Sequence, residues 1–207
     1  MTKIDYKKQD KSLYVPKERP EIVQVPRMTF IAIEGQGDPN GDEFASATAA
    51  LYSLSYAAKM SYKREAPPAG YYEYTVYPLE GVWGLVDLNV PHTVKSNLKY
   101  KLMIRQPAFL EDALFERLQR ETSRKKPNPF ITEASLVSME EGLCCQMMHI
   151  GSYDDEPASF EAMEAYCRER GYRRTSKLHR EIYISDPRKT ETSRRKTVLR
   201  IQVAPEA

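Results

Sequence analysis

The feature that most limits how this chain can fold is an order of secondary-structure elements that occurs twice. Residues 28–106 read as strand, helix, strand, strand, and residues 142–203 repeat that order with similar lengths. Two such modules can pair their sheets about a pseudo-twofold axis, with the helices on one face and a groove on the other. We therefore predict an α+β fold of two pseudosymmetric strand-helix-strand-strand modules with a ligand groove between them.

The predicted boundaries follow from apolar periodicity and from Pro and Gly positions. The first module has strands at 28–34, 71–77 and 82–88, a helix at 42–63 and, beyond the repeated order, a fourth strand at 99–105. The second module has strands at 142–150, 177–185 and 197–203 and a helix that begins at Pro157 and ends before Gly171. Residues 107–141 are a connector with an amphipathic helix, and residues 1–27 are an extended Lys-rich arm. The whole chain, 1–207, is predicted to be a single domain.

Composition excludes several classes of protein. Lys and Arg number 31 against 29 Asp and Glu, so no general basic field for nucleic acid is expected. The chain shows no signal-peptide pattern, and no apolar run approaches the ~20 residues of a membrane span. Its three cysteines include no Cys-x-x-Cys pair, and neither His149 nor His179 has further ligands at metal spacing. We expect a cytoplasmic protein without metal, cofactor, membrane or nucleic-acid partner.

Glu181 is the first candidate for chemistry. In HREIYIS, strand alternation places Ile182 and Ile184 on one face and Glu181 and Tyr183 on the other. If the isoleucines pack on the helix, Glu181 and Tyr183 point into the groove. Among aromatic rings Glu181 would have a raised pKa and could bind a cation or act as a base. The alternatives are a solvated Glu on an exposed face or an ion-pair partner for Arg180.

The aromatic stretch 71–83 is the second candidate. A hairpin folded around PLEG (78–81) would bring Tyr74 and Trp83 together on one face, where they could stack on a flat ligand. The alternative is that Trp83, the only tryptophan, belongs to the core. Glu73 and Glu80 lie in the same hairpin; Glu80 is expected in the turn, bonded to local backbone.

Several stretches resemble the GyrI-like small-molecule-binding proteins of the stand-alone bacterial branch. The matching segments are KIDYKKQDKSLYVP (3–16), VPRMTFIAIEGQGDPN (25–40), LYSLSYAAKM (51–60), YPLEGVW (77–83), MIRQP (103–107), GLCCQMMHIGSYDDEPASF (142–160) and HREIYISDPRKT (179–190). The resemblance implies a groove for hydrophobic, often cationic drugs with Glu181 at its centre. Position 84 is Gly, where the family often has a second Trp.

The resemblance also implies an activity, because some members of the branch hydrolyse the cyclopropane of DNA-alkylating antibiotics with an aromatic cage. Carried onto this chain, Trp83, Tyr74 and Phe130 would stack on the ligand, Tyr183 would donate to its carbonyl, and Glu181 would handle the water, with Glu80 or Glu73 in reserve. The rival hypothesis is a non-catalytic module that sequesters or inhibits a protein partner, like the gyrase inhibitors of the family. The sequence leaves both open.

Overall fold

A computed structural model describes residues 3–63, 66–91 and 93–206. The described residues form strands and helices in a mixed α+β arrangement, as predicted. The strands are β1 (Glu21–Val25), β2 (Met28–Gln36), β3 (Leu79–Leu85), β4 (Leu98–Arg105), β5 (Ser135–Met139), β6 (Gly142–Ile150), β7 (Tyr172–Arg174), β8 (His179–Tyr183) and β9 (Lys196–Pro205), and the helices are α1 (Tyr6–Gln9), α2 (Lys11–Tyr14), α3 (Asp42–Lys59), α4 (Asp112–Lys125), α5 (Phe130–Glu133) and α6 (Glu156–Glu169). No helix within these residues combines the length and apolarity that crossing a bilayer would need.

The chain divides into two compact units that are not continuous in sequence. The first unit holds the start of the chain up to Asp5 together with residues 28–79 and 85–139, and the second holds residues 6–27, residues 80–84 and the chain from Glu140 onward. The central residues of β3 therefore belong to the second unit. The predicted modules, about 28–106 and 142–203, remain a prediction about internal symmetry.

The first unit contains an antiparallel sheet in the order β4, β2, β5, with the long helix α3 packed against it. The predicted apolar face of α3 is confirmed, because Ala47, Leu51, Leu54 and Ala58 are all buried. The helix begins after Gly41 without a side-chain cap, and Asp38 instead bonds the backbone N–H of Asn40. Within the predicted connector, α4 confirms the amphipathic helix, and β5 is a strand that the sequence did not suggest.

The predicted hairpin around PLEG is wrong. Residues 71–77 form no regular strand; Tyr74 makes one isolated bridge with Ile4, and β3 already begins at Leu79. Pro78 has no N–H to give to a strand ladder. The tyrosine rings pack on Phe109 instead, at 4.9 Å between centroids for Tyr71 and 5.5 Å for Tyr72. Alternating aromatic residues therefore reflect side-chain packing here, not a strand.

The second unit contains an antiparallel sheet in the order β1, β6, β9, β8, β3, with β7 paired to β9. Helix α6 packs on one face through a core cluster that joins Met163 and Cys167 to Leu199 and Ile201 of β9. The helix begins at Glu156, one residue before Pro157, and Gly171 follows its end with φ +71°, as predicted for a C′ glycine. The packing of α6 on the sheet places the first turn of this helix beside β8.

The predicted extended arm is also wrong, for the described residues from Lys3 onward; Met1 and Thr2 lie outside them. Residues 6–14 form α1 and α2, and β1 pairs with β6 along its full length. Tyr14 is only 1% exposed, and the backbone N–H of Met148 donates to the carbonyl of Lys17 at 2.8 Å. Because the segment gives β6 a neighbour and covers buried side chains, it is part of the second unit.

Candidate functional site

The candidate site is built from one face of the sheet in the second unit. Alternation along β8 puts His179, Glu181 and Tyr183 on the same face, and Arg180 and Ile182 on the other. The register pairs Glu181 with Leu199 of β9, and Leu199 packs in the α6 core cluster. Glu181 therefore lies on the face that carries α6. The expectation that Ile182 faces the helix is wrong for this reason.

Strand β3 contributes the indole ring of Trp83 to this face. Gly81 pairs with Glu181, and Trp83 pairs with His179, so both β3 residues lie on the α6 side of the sheet. The turn that leads into α6 adds Tyr153, and the helix itself adds Glu156 and Phe160. We call this group the polar–aromatic cluster. Its buried floor consists of Trp83, Glu156 and Glu181, and its half-buried rim consists of Tyr153, Phe160, His179 and Tyr183.

A chain of hydrogen bonds runs through the cluster. The indole N–H of Trp83 donates to the hydroxyl of Tyr183 at 2.9 Å, and that hydroxyl donates to Oε2 of Glu181 at 2.7 Å. Nε2 of His179 lies 3.0 Å from Oε1 of Glu181. Both carboxylate oxygens of Glu181 are therefore engaged, which fixes the side chain. Burial, followed by the charge of Glu181, raises the pKa of Tyr183 well above its ordinary value, so the phenol keeps its proton.

Glu156 is a second carboxyl group in the floor of the cluster. It is 6% exposed, and its Oε1 has no hydrogen-bond partner among the described residues. Burial raises the pKa of Glu156 far above its usual range, and the nearby charge of Glu181 raises it further. The surroundings of Glu156 therefore favour its protonated form.

Aromatic rings form the rim around these carboxyl groups. Tyr153 contacts Tyr183 edge to face at 6.1 Å between centroids, and Phe160 contacts the His179 ring at 4.8 Å. The guanidinium of Arg195 lies 5.7 Å from the centroid of the Tyr153 ring, within cation–π range. The arrangement combines acceptor groups with flat apolar surfaces, which suits a planar cation.

Of the sequence-predicted site residues, the structure brings Trp83, Glu181 and Tyr183 together. Tyr74 and Phe130 belong to the first unit. Tyr74 is 1% exposed, with its ring 6.0 Å from that of Phe109, and Phe130 is the half-buried first residue of α5. A ligand contact for either ring remains a prediction that this geometry does not support.

Glu80 occupies the opposite face of the same sheet. Glu80 is the second residue of β3 and does not lie in the turn that the sequence predicted. Its Oε2 accepts a hydrogen bond from Arg180 at 2.8 Å, and its Oε1 accepts one from the Tyr14 hydroxyl at 3.1 Å. The side chain is 1% exposed, so the geometry gives no support to Glu80 as a ligand or water-handling group.

The sequence missed Glu156 and Tyr153 as members of the site. DDEP reads as an ordinary acidic helix start, and nothing local indicates that the first turn of α6 lies against β8. His149 is a satisfied structural residue, with its ring nitrogens 3.0 Å from Ser159 Oγ and 2.9 Å from the carbonyl of Ser152. In the described part of the chain, no group of three or more His, Cys, Asp or Glu side chains is arranged to hold a metal ion.

Comparison with known proteins shows the family of this chain. A family model for the GyrI-like small-molecule-binding domain matches residues 18–204. The chain belongs to the GyrI-like family. No curated protein has significant sequence similarity to it. The earlier resemblance is thereby confirmed, and small-molecule binding is the general function of this domain.

Solved structures of GyrI-like relatives match almost the entire chain. An uncharacterized conserved protein from Listeria innocua is 36% identical, with 98% of this chain and 100% of that chain covered and a TM-score of 0.92. A hydrolase from Listeria innocua is also 36% identical, with the same coverage and a TM-score of 0.89. The C-terminal domain of EcmrR shares only the fold, at 11% identity, 90% and 98% coverage and a TM-score of 0.52.

Proposed function

We propose that this GyrI-like protein binds flat, hydrophobic, cationic xenobiotics at the polar–aromatic cluster of its second unit. The observation that carries the proposal is Glu181, 9% exposed and held by Tyr183 and His179 among aromatic side chains. An acidic group that is shielded from water attracts a cation more strongly than a solvated one does. The half-buried rim offers ring faces and edges for stacking.

We expect a ligand to reach the site through the rim. Tyr153, His179 and Tyr183 are half-buried, whereas the floor residues are buried. A ligand would displace the rim rings and stack against them, and its positive charge would approach Glu181. We expect affinities in the roughly micromolar range, which corresponds to about 8 kcal/mol.

Fluorescence of Trp83 tests this proposal, because the chain has a single tryptophan. A planar aromatic cation should quench it, and Glu181→Gln should weaken the cation at least tenfold while leaving a neutral analogue of the same shape nearly unchanged. The matched control is Glu161→Gln, an exposed position on α6. Equal losses for the cation and the neutral analogue would remove the electrostatic role from Glu181.

We propose hydrolysis of cyclopropanoid alkylating agents as a second candidate function of the same site. The supporting observation is the 36% identity to a Listeria innocua hydrolase over 98% of this chain. The oxygen of water would attack the cyclopropane methylene, the ring C–C bond would break, and its electron pair would move into the dienone to give a phenolate. Glu181 would take the proton from water, and solvent would protonate the phenolate.

Tyr183 has a defined part in this second proposal. Its hydroxyl donates to Glu181 in the free protein. When Glu181 takes a proton, it becomes a weaker acceptor, and the tyrosine proton is then available to the developing oxyanion.

Mass spectrometry of a cyclopropanoid substrate tests turnover. The expected product carries one added water, with wild type and Glu161→Gln well above the buffer rate and Glu181→Gln near it. No product from wild type would leave a binding protein without this activity. Full activity in Glu181→Gln would assign the water-handling step to another carboxyl group.

The rival sequestration hypothesis needs a free surface for a protein partner, and the Lys-rich arm is the first segment that could offer one. Because α1, α2 and β1 pack within the second unit, the arm no longer supplies a free segment for a partner.

A further inference from the structure

Arg195 places a positive charge of the protein's own at a site that is proposed to take cations. Its guanidinium lies 5.7 Å from the centroid of the Tyr153 ring, on the rim of the polar–aromatic cluster. The backbone carbonyl of Arg195 accepts from the N–H of Gly151 at 3.1 Å, which holds the residue beside the turn that carries Tyr153. A guanidinium is itself a planar cation, the kind of group that aromatic rings attract.

The ring under Arg195 is also one that a ligand near Glu181 would contact. Burial raises the pKa of Tyr153, the charge of Arg195 lowers it, and the charge of Glu181 raises it, so both charges act on the same phenol. Tyr153 contacts Tyr183, whose hydroxyl donates to Glu181. The guanidinium therefore occupies part of the surface on which a cationic ligand would stack.

The half-buried side chain of Arg195 is weakly held in this place. Among the described residues it donates one hydrogen bond, from Nη2 to the carbonyl of Pro187 at 3.3 Å, and its buried Nε has no acceptor. It forms no ion pair with a described residue, and Asp186, beside Pro187, is engaged by Arg188 through two hydrogen bonds of 3.0 Å. An unpaired buried donor costs free energy, so the guanidinium recovers hydrogen bonds when it moves into water.

We propose that Arg195 is the resident cation of the cluster, which occupies the Tyr153 ring until a ligand displaces it and thereby selects polycyclic aromatic cations over small cations. This inference rests on the proposed binding of cations at the cluster. It makes Arg195 a residue that determines specificity by competing with the ligand, not by contacting it.

The selectivity follows from what each ligand gives in exchange for the guanidinium. A small cation such as methylguanidinium offers the Tyr153 ring the same interaction that Arg195 already makes. The exchange then gains no contact, while the ligand loses its free motion. A polycyclic cation covers further rings of the rim as well, and the additional apolar area that it buries favours its binding over the arginine.

The first test follows the side-chain Nε–H of Arg195 by NMR of protein labelled with a nitrogen isotope. A protonated aminoacridine is the polycyclic probe, and methylguanidinium is the small one. In free wild type the buried Nε–H should exchange slowly with water, and Arg195→Ala identifies its signal by removing it. Saturating aminoacridine should bring this N–H into rapid exchange, because the displaced guanidinium enters water, and methylguanidinium should leave it unchanged.

Calorimetric titration measures the competition itself. Arg195→Ala should bind aminoacridine about fivefold more tightly than wild type, because no cation–π contact has to be broken. Methylguanidinium should compete with aminoacridine in Arg195→Ala, where the Tyr153 ring is free, and not in wild type. The matched control is Arg194→Ala, which removes the same charge from an exposed neighbouring position and should bind as wild type does. Arg195→Met, which keeps an apolar stem, takes the place of Arg195→Ala if the alanine variant is unstable.

The opposite results separate the inference from the proposed function. Aminoacridine that saturates wild type while the Nε–H of Arg195 stays protected would overturn the inference and leave the proposed function intact. Equal or weaker affinity in Arg195→Ala would do the same, and so would an equal gain in Arg194→Ala, which would assign the effect to net charge. Release of the Nε–H by methylguanidinium would overturn the selectivity. If aminoacridine binds neither folded wild type nor folded Arg195→Ala, the proposed cation site fails and the inference fails with it.

Discussion

Gly81 provides the space that the floor of the polar–aromatic cluster needs. A Cβ atom at this position would lie 2.7 Å from Nε1 of Trp83 and 3.3 Å from the hydroxyl of Tyr183. The backbone of Gly81 lies outside the left-handed region, so the cost of an alanine here comes from crowding and not from backbone strain. Because Gly81 has no Cβ atom, the indole of Trp83 can lie close to the backbone of β3 and donate to the hydroxyl of Tyr183.

We expect Gly81→Ala to displace the indole and to break its hydrogen bond to Tyr183. The emission of Trp83 should shift to the red as the ring gains contact with water, and the affinity for a planar cation should fall about tenfold. Overpacking of this kind costs about 1–3 kcal/mol in the free energy of unfolding. Urea unfolding followed by far-UV circular dichroism measures that cost, and an unchanged emission maximum would contradict the proposed crowding.

On the sheet face away from α6, strands β8 and β9 carry buried charged side chains. Arg180 and Arg200 face each other across the two strands, and each is 1% exposed. Glu141 joins them, with Oε1 3.1 Å from Nε of Arg180 and Oε2 3.0 Å from Nη1 of Arg200. Arg200 also donates to the carbonyl of Leu13 at 2.8 Å, which ties the N-terminal segment to the sheet. Strand β8, which positions Glu181, is therefore also held by buried ion pairs on its opposite face.

We expect Glu141→Gln to lower the free energy of unfolding by about 3–5 kcal/mol, because it leaves two buried guanidinium groups with one fewer counter-charge. Glu140→Gln is the matched control. Its carboxylate forms only a surface pair with Arg27, at 3.7 Å with both side chains largely exposed, and such pairs contribute about 0–1 kcal/mol. Chemical denaturation of both variants measures the difference, and equal effects would mean that the buried arrangement adds no stability.

The stability of the whole molecule should depend on pH through Glu156. Burial and Glu181 raise the pKa of Glu156 in the folded protein far above its ordinary value of 4.5. The stabilisation from its bound proton is fully present below that value and is lost as the pH rises toward the folded pKa. Wild type therefore loses stability between about pH 5 and pH 9, by at most about 1.4 kcal/mol per pH unit from this group.

Glu156→Gln cannot ionise, so its unfolding free energy should fall less steeply over the same range. The gap between the variant and wild type should widen in favour of the variant as the pH rises. The exposed Glu161→Gln should follow the wild-type profile. A constant gap between wild type and Glu156→Gln from pH 5 to pH 9 would mean that Glu156 titrates normally.

Sequence alone determined the features that depend on neighbours along the chain. Alternation in HREIYIS placed Glu181 and Tyr183 on one face, and their 2.7 Å hydrogen bond confirms that they share it. Strand β6 and helix α6 with its C′ Gly171 also followed from local periodicity and glycine chemistry, since both depend on backbone geometry over a few residues. The segments typical of the GyrI-like family were sufficient for its assignment.

Only the tertiary structure decided which face each strand presents to which neighbour. Periodicity separates Glu181 from Ile182, but the pairing of β8 with β9 places Glu181 on the α6 side. Arg180 looked like a partner for Glu181, yet it is buried against Glu80 and Glu141 on the other face. Glu156 looked like a helix-start acid, yet burial, followed by the charge of Glu181, raises its pKa and favours its protonated form. These outcomes depend on residues up to 100 positions apart, as between Glu80 and Arg180, and burial decides their charge and bonding.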